Sequence, residues 1–537
     1  MPLPLILSLL LFGGCLLLSP LLGWWLFKRL SSWSFSDRII AALLPLSILV
    51  ISQAALMKVL GAPAAYALGW PASRLTATFA MVRGYQLYYP PDRGPVLEAL
   101  YGPGRAFAYL PATLTSSITI ALLVAGSLSI LYGFLPILWL HLHPYLNNRR
   151  KLLVSFFVFI CFCGFTLTSP AINSSVFVVG PDAPMLGLSA TACALIYHRK
   201  HQERTIPLVI SAFLMVLAVW TKQTALPLLV ALPFYVLCTE GYRSCLRYVA
   251  FIALFCALSL GVAFIVFDAK ALIFNMYTIA VHSPWINTNK LKALGITSTE
   301  LMTESLWFVP TLAFYIGITQ PTDKHQEQLQ DRFRSWLTTN RWSLFLIVAL
   351  FMVSTSIVGR AKVGGALNTF SPTIYFLAVA VCLASIELTS REDIDRNVQK
   401  SVKLLITIIT VLFLYIQFSP LSTVLTAIRE LPNNPAAVAY SYAKKHPGIA
   451  YFPWNPLSSL MAEGKLYHFC YGLIDRRISG FPVSKAHIQA YLPPNIKFVA
   501  FPEGHGIEGT LVFTPEFTQQ IVVDELPGWL VFARTTP

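Results

Sequence analysis

Apolar runs of about 15–25 residues recur through the first 420 positions, each long enough, or nearly so, to cross a bilayer as a helix. Composition points the same way. Of 537 residues 56% are hydrophobic and only 12% are charged, about half the charge of an ordinary soluble domain. The mean hydropathy is +0.64. The fold class expected from these features is a polytopic α-helical membrane protein. The net charge of +15 would by itself admit a nucleic-acid partner. The basic residues, however, fall in short clusters between apolar runs, which is the pattern of cytoplasmic loops beside a bilayer and leaves no nucleic-acid role.

Hydropathy places helices at about 3–27, 39–57, 112–140, 152–168, 184–197, 206–220, 225–238, 248–267, 302–319, 343–358, 373–388 and 403–419. The first run has no basic residues ahead of it, and Lys28 and Arg29 follow it. That charge order is the reverse of a signal peptide's, so a retained helix with its N-terminus outside is expected. On this threading every inside loop is short and basic, and together these loops hold 19 of the 39 Lys and Arg. The runs 206–220 and 225–238 span only about 22 Å each, so they read as a tight hairpin or a partly re-entrant pair. The expected organisation is a transmembrane part at 1–420, with a first large outer loop at 58–111, and an exported α/β domain at 421–537. In that tail, strand-like runs (IAYFPW, IKFVAF, QQIVVDEL, GWLVFAR) alternate with helix-like ones (PLSSLMAEG, SKAHIQAYL).

With the threading set, the unusual polar residues collect on the outer side. The first outer loop holds Asp92, Arg93, Glu98 and Arg105. Asp182 opens the fifth helix, Lys222 and Gln223 tip the short hairpin, and His282 lies in an outer loop. Arg360, Lys362 and Asn368 flank a Gly-Gly turn between helices ten and eleven. Bases with close-approaching glycine backbone suit a phosphate-bearing lipid, and a carboxylate can take a proton from an attacking hydroxyl. Each residue also has an ordinary reading. Asp182 can cap its helix, Lys222 can snorkel to headgroups, and Arg93 and Arg105 can meet lipid headgroups nonspecifically. Gly364-Gly365 can be only a turn, and His282 a structural residue. Arg476, Arg477 and His505 of the tail read as solvated surface. The nine cysteines form neither a disulfide framework nor paired metal-ligand spacing, and no cofactor is evident.

Four patches resemble the GT-C superfamily of membrane glycosyltransferases, in particular the glycosyltransferase family 39 type that includes protein O-mannosyltransferases and lipid A aminoarabinose transferases. They are GYQLYYPPDRGPVLEALYGPGRAFAYLPA, GPDAPMLGLSATACALIY, LMVLAVWTKQTALPLLVALPFYVL and AKVGGALNTFSP. The resemblance spans about 60–400. It implies transfer of a sugar from a polyprenyl-phosphate donor to a lipid, glycan or protein acceptor at the extracytoplasmic face, with inversion, in a cell (inner) membrane. The family's base is often one of an acidic pair early in the first outer loop. The corresponding stretch here, YALGWPASRLTATF, has no acid, and Gly180 stands where the family's Arg-Pro-Asp helix start has arginine. On the resemblance Asp92, Glu98 and Asp182 are the candidate bases. Arg93, Arg105, Lys222, Gln223, His282, Arg360, Lys362 and Asn368 are candidates for holding donor or phosphate. A lipid-linked-sugar transporter and a catalytically inactive GT-C-like scaffold are the alternatives.

Overall fold

The structure, a computed structural model, describes residues 18–63, 70–97, 100–199, 205–319, 329–502 and 514–534. Helix starts follow local capping chemistry. Ser34, Ser117 and Asn148 each accept a hydrogen bond from a backbone N–H three residues on, and each opens a long apolar helix: Phe35–Gly61, Ile118–Leu142 and Arg149–Thr168. Gly241, at φ +90°, lets the chain reverse between Leu228–Glu240 and Tyr242–Val266.

Among the described residues eight helices are long and apolar enough to cross a membrane, or nine if Lys290–Ser305 and Phe308–Ile318, bent by 63°, form one span. Among the described residues, then, not all of the twelve spans predicted from hydropathy correspond to a helix of that length. Asp182–His198 and Ile206–Thr221 have 17 and 16 residues, about 25 Å at 1.5 Å per residue, short of a hydrocarbon core of about 30 Å. The predicted run 302–319 is broken after Ser305. Residues before 18 in the first predicted helix lie outside the described ones, and 18–29 are helical. Hydropathy registers apolar residues without telling lipid contact from protein contact. The helix Ser371–Ser390 is buried almost all round at the centre of the bundle, whereas Tyr242–Val266 is mostly exposed at its edge.

At one end of the bundle Asp37, fully buried, takes Lys403 Nζ at 2.6 Å and Arg150 Nε at 2.5 Å, tying three helices together. Arg199 pairs with Glu240 at 2.5 Å at the same end and closes the base of the hairpin whose tip is Lys222. Charges buried this way persist because each is matched.

At the opposite end, 58–111 is not simply a loop. It contains the helix Trp70–Val82, whose Ala72, Leu75 and Phe79 pack with Leu122 and with Ala436, Leu457 and Leu460 of the tail. The tail's strands β1 (Ala450–Tyr451), β2 (Phe498–Pro502), β3 (Phe517–Ile521) and β4 (Trp529–Arg534) form one sheet in the order β1-β2-β4-β3. β1 and β2 are parallel, and β4 is antiparallel to both of its neighbours. The tail also holds helices Pro435–Lys445, Pro456–Glu463, Cys470–Ile478 and Lys485–Ala490. It shares its core with the membrane part through that packing rather than standing apart.

Candidate functional site at one end of the bundle

The helix Ile206–Thr221 stops where Lys222 turns extended (φ −151°, ψ 127°), and a single 3-10 turn, Gln223–Ala225, follows. Pro227, at the head of the next helix, lacks the N–H that a continuous helix would need there. The break aims Lys222 inward. Its Nζ lies 2.5 Å from Asp182 Oδ1, with the two side chains 4% and 2% exposed. Asn368 donates from Nδ2 to the other carboxylate oxygen at 3.1 Å. Lys222 is thus buried and paired rather than snorkelling. Asp182 does not cap its helix, since Pro181 occupies the cap position without a side-chain bond.

The first outer loop closes over this pair. Gln223 Nε2 donates to Leu100 O at 2.9 Å and to Met276 O at 3.3 Å. The Tyr101 ring carries Lys222 Nζ at 5.4 Å and the Arg105 guanidinium at 5.8 Å from its centroid. The approach requires glycine. A Cβ at Gly102 would strike the carbonyl of Trp220, and one at Gly104 would lie 2.5 Å from Thr221 Oγ1. The Tyr109 hydroxyl donates to Gly180 O at 2.8 Å and accepts from Gly180 N at 3.2 Å, holding the turn that precedes Asp182. The absent side chain at Gly180 leaves room for Arg74, whose Nη1 would be 2.6 Å from a Cβ there.

Asp182, Lys222, Gln223, Asn368 and Arg105 therefore form one contiguous group around Tyr101. Two basic side chains, one of them paired with Asp182, thus meet at the Tyr101 ring. Other predicted residues lie elsewhere. Arg360 is held by Glu300 at 2.8 and 3.2 Å and donates to Gly365 O at 2.7 Å. Glu300 is a partner that sequence reading missed. Lys362 donates to Val281 O and Ser283 O at 3.1 and 2.6 Å, with its ammonium 4.9 Å from the Trp285 ring. Partial burial, and then the neighbouring Lys290 charge, pull the Lys362 amine below its ordinary range. His282 bonds Thr278 O at 2.8 Å and stacks edge-on against Phe481 of the tail. Gly364, at φ +88°, makes the Gly-Gly turn. Asp92 and Arg93 are about three-quarters exposed and 3.9 Å apart. Glu98 and His505 lie outside the described residues.

One expectation is overturned in the tail. Arg476 is not solvated surface but 3% exposed. It lies over the Phe274 ring at 5.3 Å and donates to Pro91 O at 3.2 Å. Burial draws its pKa down to about 10, so it stays charged at neutral pH. Its partners come from two other parts of the chain, and no local pattern announces them. Among the described residues no group of three His, Cys, Asp or Glu is arranged to hold a metal ion.

Spans and site together define a multi-pass α-helical membrane protein with a buried polar centre at one end, closed over by its first large loop and its tail. No protein-family model matches the chain, and no curated protein matches it. Among solved structures it is similar to the crystal structure of ArnT from Cupriavidus metallidurans bound to undecaprenyl phosphate. The TM-score is 0.53 at 12% identity, over 90% of this chain and 97% of that one. An oligosaccharyltransferase from Archaeoglobus fulgidus, tethered to an acceptor peptide, aligns at a TM-score of 0.36 and 11% identity, over 91% of this chain and 74% of its own. The chain shares the fold of that ArnT structure.

Proposed function

We propose that the chain is an integral-membrane glycosyltransferase that moves a sugar from a polyprenyl-phosphate donor to a hydroxyl of a lipid, glycan or protein acceptor, with inversion. The observation that carries this reading is the Asp182–Lys222–Asn368 cluster beside Arg105, which joins three distant polar patches into one buried polar centre with two basic side chains. The fold shared with ArnT, which was crystallised with undecaprenyl phosphate, is in keeping with it. In this mechanism Asp92, exposed in the first outer loop, takes the acceptor's proton. The acceptor oxygen forms a bond to the anomeric carbon as the bond from that carbon to the phosphate oxygen breaks. The lipid phosphate leaves with the electron pair. Lys222 and Arg105 meet the charge that grows on it, in a site already ordered before reaction. Asp182 and Asn368 hold Lys222 in register. Gln223 ties the first outer loop to this centre through Leu100 O. The site end faces the periplasm or cell exterior of an inner membrane, and the Arg- and Lys-rich end faces the cytoplasm.

The test is transfer from polyprenyl-phosphate sugars by the purified protein in nanodiscs. Lys222→Ala is expected to weaken donor binding, and Asp92→Asn to lower turnover by about a hundredfold or more. Unchanged transfer in both variants refutes the mechanism. Flux of labelled lipid without sugar transfer would assign the chain to transport instead.

A further inference from the structure

The backbone of 91–97, which carries Asp92, is gripped by the tail from one side. Arg476 donates to Pro91 O at 3.2 Å. Gly94 N donates to the Tyr491 hydroxyl at 3.1 Å, and His487 Nε2 donates to Gly94 O at 2.7 Å. Val96 N donates to His468 Nδ1 at 2.8 Å, and Phe469 N donates to Val96 O at 2.8 Å. The Val96 side chain packs with Leu473 and Ile488. Gly472 lets the tail approach, since a Cβ there would lie 2.6 Å from Leu97 O. From the other side Asn275 Nδ2 donates to Tyr89 O at 2.9 Å. A loop ordinarily spends its backbone groups on water. This one has them engaged by residues nearly 400 positions away.

The chemistry at His468 is specific. Its Nδ1 accepts, so in this tautomer the ring proton is on Nε2, which faces His487 O at 3.3 Å. Full burial keeps the ring neutral. Three residues past Leu97 the same loop reaches Leu100 and Tyr101, the groups that touch Gln223, Lys222 and Arg105. The tail and the polar centre thus hold two ends of one short stretch of backbone.

We infer that His468 and Tyr491 are positioning residues: the tail clamps the backbone of 91–97, and the clamp fixes how Asp92 and Tyr101 are presented to the polar centre. The geometry stands by itself, and the catalytic consequence rests on the transferase reading above. A released loop would leave Lys222 and Asp182 paired and would disturb turnover rather than donor binding.

The experiment is hydrogen–deuterium exchange on the full chain in nanodiscs, reading the peptide that covers 91–97, together with kcat and KM for transfer. Tyr491→Phe and His468→Ala are each expected to raise exchange in this peptide about tenfold and to lower kcat with donor KM unchanged. His468→Asn, whose Oδ1 can replace Nδ1 as acceptor, is expected to restore both. If His468→Ala does not fold, Tyr491→Phe carries the test. Wild-type exchange in the folded variants overturns the clamp. Faster exchange with unchanged kcat overturns the positioning role. Faster exchange in a protein whose wild type transfers no sugar supports the clamp and refutes the transferase reading alone.

Discussion

Asp182 and Lys222 stand 40 positions apart in the chain and meet at 2.5 Å, 2% and 4% exposed. Neither charge would be stable at that depth without the other, because desolvation of an ion costs several kcal/mol and only a close partner offsets it. Asn368 fills the remaining carboxylate oxygen, so the lysine has one orientation. A fixed ammonium beside Arg105 is what an anionic group entering this end of the bundle would meet.

Breaking the pair separates stability from binding. Lys222→Ala leaves the Asp182 carboxylate buried with Asn368 alone and is expected to cost about 3 kcal/mol. The double change Asp182→Asn with Lys222→Met removes both charges and is expected to recover most of that loss while donor affinity stays low. Denaturation in detergent and donor titration on the same samples check both halves.

The glycines of the YGPG run test the loop's approach. Gly104→Ala places a methyl against Thr221 and is expected to cost about 1–3 kcal/mol by overpacking, with weaker donor binding as the adjacent Arg105 is displaced. Gly261→Ala is the control, since a Cβ there meets nothing within 4 Å. It is expected to be neutral or slightly stabilising. Thermal unfolding midpoints decide.

Arg360 acts through geometry as well as charge, bridging Glu300 and Gly365 O. Its side chain is 25% exposed and that of Glu300 36%, so solvent screening keeps the pair's worth to about 1 kcal/mol or less. Arg360→Lys is expected to lose nearly as much as Arg360→Ala, because one ammonium cannot make the forked contact. A double-mutant cycle with Glu300→Gln measures the coupling.

The tail is expected to loosen in acid. Burial chiefly lowers the His468 pKa to about 4 from an ordinary 6.5; the hydrogen bond to the His487 backbone opposes the shift, and the His487 and Arg476 charges add to it. The folded state therefore binds fewer protons than the unfolded one between those values, and stability rises with pH. The contribution, at most about 3 kcal/mol, is complete above about pH 6.5 and is lost as pH falls towards 4. His468→Asn is expected to flatten that dependence. Exchange of the 91–97 peptide from pH 7 to pH 4.5, corrected for intrinsic rates, checks it.

Parts of this site were legible before any coordinates. Lys222, Asp182 and Asn368 are conspicuous because polar groups interrupt apolar runs, where each demands a partner. The tail's strands and two of its helices follow from alternation and turn residues. What was not legible depends on remote contacts. Glu300 neutralises Arg360 from 60 positions away, and Arg476 looks like surface until its contacts with Pro91 and Phe274 are seen. Hydropathy also reads 302–319 as one run where the chain bends by 63° between Ser305 and Phe308, because apolarity alone does not report a break in a helix.

The sequence by itself determined that this is a helical membrane protein with unusual polar residues at a few helix ends and loops, since the cost of placing polar groups in lipid is written into composition and order. Tertiary structure alone decided which charges meet. It also decided that the tail holds the first outer loop. Pairing depends on distances between segments hundreds of residues apart, and those distances exist only once the bundle has packed.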